Sequence, residues 1–80
     1  MSAPADLGQL RWRCRRGMKE LDILLSRYVG ERFCGATSAE QAAFRRLLEA
    51  ADPDIYAYCM GSRRPPADLA DLIDRITAPA

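Results

Sequence analysis

Eighty residues, 49% of them apolar and 29% charged, describe one small folding unit rather than a disordered tail. A chain this short buries only about 60% of its unfolded surface, so modest stability and no large enclosed pocket are expected. A net charge of +1, spread as +3 over residues 1–34 and −2 over residues 35–80, is too small to mark a nucleic-acid or membrane-surface protein by itself.

Residues 1–5 are small and include Pro4, and are read as a disordered N-terminus, with a single helical domain over 6–80. Helix one is expected from Asp6, a possible N-cap, to Arg16, with Leu7, Leu10 and Cys14 on one side at helical spacing. Trp12 falls off that stripe, either as a second buried flank or as a partly exposed aromatic anchor, and the buried reading is preferred. Arg13, Arg15 and Arg16 suit a last turn, and Gly17 is where a helix would leave through a left-handed residue.

Helix two is expected over Met18 to Phe33, with Met18, Leu21, Leu25 and Tyr28, widened by Leu24, on its apolar face and Glu20, Asp22, Arg27 and Glu31 opposite. If the turn at Gly17 stays near-helical, Arg16 and Glu20 stand four apart as an exposed ion pair, beside a glycine with no side chain to keep a partner away. Taken alone, this is also what an ordinary helix cap with a surface ion pair looks like.

Thr37-Ser38-Ala39-Glu40-Gln41 offers two overlapping capping boxes, Thr37 with Glu40 and Ser38 with Gln41, opening a helix that buries Phe44, Leu47, Leu48 and Ala51. Asp52-Pro53-Asp54 is a second start signal, with Asp52 as N-cap and Pro53 first in a helix running to Met60, where Gly61 stops it. That helix supplies Ile55, Cys59 and one or both of Tyr56 and Tyr58. After the loop at Pro65-Pro66, Leu69, Leu72, Ile73 and Ile76 form a clean helical stripe, with Asp68, Asp71 and Asp74 on the solvated side. The fold class is therefore all-α, a bundle of about five helices without strands. Its core is expected to be Leu10, Leu21, Leu25, Tyr28, Phe44, Leu47, Leu48, Ile55, Leu69, Leu72 and Ile76.

Catalytic and metal chemistry find no support. There is no histidine, and Cys14, Cys34 and Cys59 are odd in number and scattered, which disfavours zinc, a disulfide framework and an activated nucleophile alike. Cys14 and Cys59 are read as core fillers. No Gly-rich phosphate loop lies between a strand and a helix, so the chain is expected to hold no cofactor tightly. No apolar run approaches the roughly 20 residues of a membrane span, and the start lacks signal or transit character, which points to a bacterial cytoplasm. A non-enzymatic interaction module remains.

The run Trp12-Arg13-Cys14-Arg15-Arg16-Gly17-Met18-Lys19-Glu20-Leu21-Asp22 resembles the signature of the succinate dehydrogenase flavinylation factors, also called the succinate dehydrogenase assembly factor 2 family, whose hallmark R-G-x-x-E is here Arg16, Gly17 and Glu20. The likeness extends from Trp12 through Pro65. In the family's D-x-D-L-x-x-W segment this chain has Asp52, Asp54, Ile55 and, in place of the more usual tryptophan, Tyr58. The resemblance implies a five-helix protein that binds the flavoprotein subunit of succinate dehydrogenase or fumarate reductase and promotes covalent attachment of FAD to a histidine of that subunit.

FAD would then belong to the partner, the chain would be a monomer when free, and Arg15, Arg16, Gly17, Met18, Glu20 and Asp22 would be the partner-binding residues. In that reading Arg16→Ala and Glu20→Ala disturb only an exposed pair and scarcely change the melting temperature. The alternative is a small regulatory binding protein, antitoxin-like or nucleic-acid-binding through Arg11, Arg13, Arg15 and Arg16.

Overall fold

A computed structural model describes residues 3–78, with side chains from Leu7 onward, as five α-helices and one 3₁₀ turn, with no strand among the described residues. Helix α1 spans Ala3–Arg13, α2 Lys19–Glu31, α3 Ser38–Leu47, α4 Asp52–Met60 and α5 Ala67–Thr77, and the 3₁₀ turn is Phe33–Gly35. The disordered N-terminus expected over 1–5 falls partly on residues 1–2, which lie outside the described range. Helix α1 begins at Ala3 and not at Asp6, because Pro4 sits in the first turn, where its missing N–H has no intrahelical partner to lose. It also ends three residues earlier than expected, at Arg13.

Two helices organise the packing: α2 lies against α1, α4, α5 and the 3₁₀ turn, while α5 also packs on α3 and α4. Each is amphipathic at helical spacing, burying Leu21, Leu25, Tyr28 and Val29 from α2 and Leu69, Leu72, Ile73 and Ile76 from α5. All eleven residues expected in the core are buried, joined by Cys14, Val29, Phe33, Ala43 and Ile73. Tyr28, Phe33 and Phe44 form an aromatic knot, with Tyr28 and Phe44 centroids 4.7 Å apart and Phe33 edge-on to Tyr28 at 6.4 Å. Tyr58 and Cys59 are half-buried and pack against this core.

Helix α2 stops short of Phe33. The Arg32 N–H closes it on the Tyr28 carbonyl (2.8 Å), and the chain then tightens into the 3₁₀ turn that drops the Phe33 ring into the core. One of the two capping boxes forms, in part: Thr37 Oγ1 accepts the Glu40 N–H at 3.1 Å. The Glu40 carboxylate does not return to the cap; it accepts from the Tyr28 hydroxyl and pairs with Arg75 at 3.3 Å. Gln41 leaves its box as well, donating Nε2 to the Phe33 carbonyl at 2.7 Å, where a tertiary acceptor outcompetes the local cap. Helix α4 ends as its glycine suggests, with Gly61 at φ +82°, the Gly61 N–H on Tyr58 O and the Ser62 N–H on Ala57 O, a Schellman closure. Arg27, expected on the solvent side of α2, reaches across to the carbonyls of Ile76 (3.2 Å) and Ala78 (2.6 Å) and caps α5.

A corner where two motifs interlock

After Arg13 the chain makes one further turn, with the Cys14 N–H on Arg11 O and the Arg15 N–H on Trp12 O, and buries the Cys14 side chain. It then reverses at Gly17, φ +81°, and enters α2 through Met18 in extended conformation. Asp22, in the first turn of α2, holds this reversal. Its two carboxylate oxygens accept the N–H groups of Arg16 (2.6 Å) and Gly17 (3.3 Å), an anion seated on successive amides at the positive end of a helix. Asp22 is thus a brace of the joint and not a freely solvated face residue. An added Cβ at Gly17 would meet nothing within 4 Å, so the left-handed backbone, not intramolecular crowding, calls for glycine here.

The expected Arg16–Glu20 ion pair does not form. The left-handed bend ends helical geometry between them, so the i, i+4 relation that would bring them together is lost. Arg16 instead turns inward with 15% of its side chain exposed, donating Nη1 to Asp52 Oδ1 at 3.0 Å and Nη2 to the Leu48 carbonyl. One guanidinium thereby ties the α1–α2 joint to the end of α3 and the start of α4. Its Nε is buried without a partner. Asp52 is drawn into this pair and is the first residue of α4, so the N-cap falls to Ala51, without a side-chain cap bond, and Pro53 sits second in the helix.

Glu20 is exposed and accepts a hydrogen bond from the Tyr56 hydroxyl at 3.0 Å, which raises the Tyr56 phenol pKa above its ordinary value. Both ends of R-G-x-x-E are therefore bonded to α4, Arg16 to Asp52 and Glu20 to Tyr56. Asp54 makes the next link, to Arg63 in the following loop. Met18 is half-buried against the core, leaving Arg15, Gly17 and Glu20 as the outward members of the six candidate residues.

Two outward residues escape a reading by apolar stripes. Trp12 is 70% exposed, against the preferred expectation of a buried flank, because within α1 it stands two positions, about 200° of helical turn, from the buried Leu10; the Arg15 guanidinium lies over its ring at 5.6 Å. Ile23, one helical turn from Glu20, is 55% exposed, and the available signal was its place off the Leu21, Leu25, Tyr28 stripe. Among the described residues no three Cys, Asp or Glu side chains converge as a metal site would, and the surface depressions are open and shallow.

The family model described as the flavinator of succinate dehydrogenase, Sdh5, matches residues 8–80. The chain belongs to this family. Its relatives include proteins named FAD assembly factor SdhE from Xylella fastidiosa, 46% identical over 76% of this chain and 63% of the relative. Those from Idiomarina loihiensis, 41% identical over 85% and 77%, and Vibrio cholerae, 42% identical over 88% and 83%, bear the same name. The chain thus spans just under two thirds of the Xylella relative and more of the other two. No solved structure matches it significantly. The family is one of assembly factors, not enzymes, and no described helix is long and apolar enough to cross a membrane.

Proposed function

We propose that this chain docks as a monomer on the flavoprotein subunit of succinate dehydrogenase, or of fumarate reductase, in the bacterial cytoplasm, and promotes covalent attachment of FAD to that subunit. The observation that carries the docking site is the cross-bracing of Arg16 to Asp52 and Glu20 to Tyr56, which makes the Gly17 bend a pre-shaped corner. A surface ordered before binding loses less conformational freedom when it binds. Gly17 and Glu20 face the partner, with Arg15 beside them, while Arg16, Asp22 and Met18 hold the corner in shape.

The chain has no histidine to accept flavin, and FAD with its acceptor histidine belongs to the partner. Holding the partner's domains so that flavin and acceptor meet lowers the barrier through orientation, an effect of several kcal/mol in favourable cases, without a catalytic group from this chain. Purified apo-flavoprotein subunit mixed with FAD and this chain, then denatured and scanned for covalent flavin fluorescence, tests the reading. Flavin incorporation should rise with the wild-type chain and fall with Glu20→Ala by far more than the small stability lost with its exposed bond to Tyr56 accounts for. Equal incorporation with and without the chain would refute it.

A further inference from the structure

Continuous with the corner, two shallow grooves meet at Arg13. One is lined by Gln9, Leu10, Arg13 and Arg45, the other by Trp12, Arg13, Arg15, Arg16 and Leu48. No carboxylate lines either. Leu10 and Leu48, both buried core residues, lie beneath the grooves, whose open lining is chiefly polar. Arg16 is committed inward, but Arg13, Arg15 and Arg45 are exposed, and among the described side chains none of the three makes an ion pair with a carboxylate. Arg15 and Arg45 are pre-oriented on aromatic faces, over Trp12 at 5.6 Å and Phe33 at 5.2 Å. Trp12 borders the furrow with 70% of its surface open to water, a large apolar area that burial against a partner would stabilise.

We infer that this furrow is a second docking surface, which seats an acidic, extended segment of the same flavoprotein subunit, carboxylates on Arg13 and Arg45 and an apolar side chain on Trp12. The inference rests on the function proposed above and extends its contact from the corner along the groove between α1 and α3. Guanidinium forks fit carboxylates in bidentate geometry. A protein segment fits better than a nucleic acid because the whole chain carries only +1 and Asp52 stands at the Arg16 end, where a phosphate backbone would continue into a like charge.

Trp12 is the only tryptophan of the 80 residues, so the 80-residue chain labelled with 5-fluorotryptophan has a single fluorine resonance that reports on the furrow. Titration with the apo-flavoprotein subunit should shift or broaden that resonance. Arg13→Glu combined with Arg45→Glu, and separately Trp12→Ala, should each weaken binding about tenfold or more, and the charge reversal should also flatten the dependence of affinity on salt. Trp12→Ala should melt close to wild type; because the double reversal places carboxylates in the last turns of α1 and α3 and lifts Arg45 from Phe33, it is paired with Arg13→Gln plus Arg45→Gln, which should melt nearer wild type and still lose binding.

If wild type binds and flavinylates the subunit while the Trp12 resonance stays still and these variants bind at full strength, the furrow is overturned and the corner stands alone. If wild type does not bind the subunit, furrow and corner fall together. If a 20-nucleotide RNA moves the resonance at physiological salt as strongly as the subunit does, the occupant is a nucleic acid and the inference is wrong.

Discussion

Arg16 shows how one side chain changes meaning once its surroundings are known. With 15% of it exposed and its fork on Asp52 and Leu48 O, Arg16→Ala removes charge-assisted bonds and strands a carbonyl and a carboxylate. The expected loss is about 2 kcal/mol, or roughly 8–16 °C in melting temperature for a domain of this size. That replaces the negligible effect expected of an exposed pair. Arg16→Lys should recover only part of it, since an ammonium cannot span both acceptors as the planar fork does. A melting temperature for Arg16→Ala within 2 °C of wild type, a margin of roughly a quarter to a half of a kcal/mol, would show that the inward contacts contribute little. Gly17 poses a different question, because its surroundings are open and only its φ of +81° is demanding. Gly17→Ala should cost about 1 kcal/mol and Gly17→Asn less, since asparagine tolerates the left-handed region. If both variants flavinylate in proportion to their folded fraction, the backbone turn is the whole requirement. If both fail while folded, the partner itself excludes a side chain at this position.

At the scale of elements, the Arg16–Asp52 bond staples the joint between α1 and α2 to the joint between α3 and α4. A double-mutant cycle on Arg16→Ala and Asp52→Ala should give a coupling above about 1 kcal/mol, more than the 0.2–1 kcal/mol of exposed pairs, because the Arg16 guanidinium is largely buried and its bond to Asp52 is charge-assisted on both sides. Additive losses would mean that the joints are held independently. The cysteines provide a second test. Burial pushes the thiols of Cys14 and Cys59 up to about 11, from an ordinary 9.0. Between those values the folded chain keeps protons that the unfolded chain releases, so stability should fall as pH climbs from about 9 to about 11 and be unaffected below. Tyr28, raised by burial and by its bond to Glu40, acts in the same direction at higher pH. Melting temperatures of wild type and of Cys14→Ala with Cys59→Ala, followed from pH 7 to 11, should show the shallower decline in the double variant. Parallel curves would contradict the assignment. All three thiols are free, and Cys34, exposed on the 3₁₀ turn, should be the first alkylated.

For the whole molecule, a small core leaves little reserve, and Leu47, fully buried, should cost about 2–5 kcal/mol when cut to alanine, enough to unfold much of a domain of modest stability. Leu47→Ala is therefore the control for a variant that fails because it does not fold. Glu20→Ala and Arg15→Ala are the variants in which function should part from fold, since both side chains are exposed and neither anchors the core. Measured together, melting and covalent flavin yield should place Leu47→Ala low on both axes, Arg16→Ala low on stability, and Glu20→Ala low on flavin yield alone. Glu20→Ala and Arg15→Ala both at wild-type flavin yield would remove these residues from the docking surface.

The amino-acid sequence by itself determined the five helices, the strand-free class and the eleven expected core residues, because apolar spacing and caps such as Thr37 and Gly61 act within a few residues of chain. The run around Arg16-Gly17 also carried the family. What it left open were pairings between residues far apart in the chain. Arg16 with Asp52, Glu20 with Tyr56, Glu40 with Tyr28 and Gln41 with Phe33 all displaced a nearer candidate partner or a local cap. In each case a local bond, whose net worth is small in water, yielded to one that satisfied polar groups where the helices meet. Trp12 is a different case: it lies within α1 on the side away from the buried Leu10, and no other described element covers that side. Tertiary structure thus chose which residues of a legible motif face inward to hold its shape and which face outward.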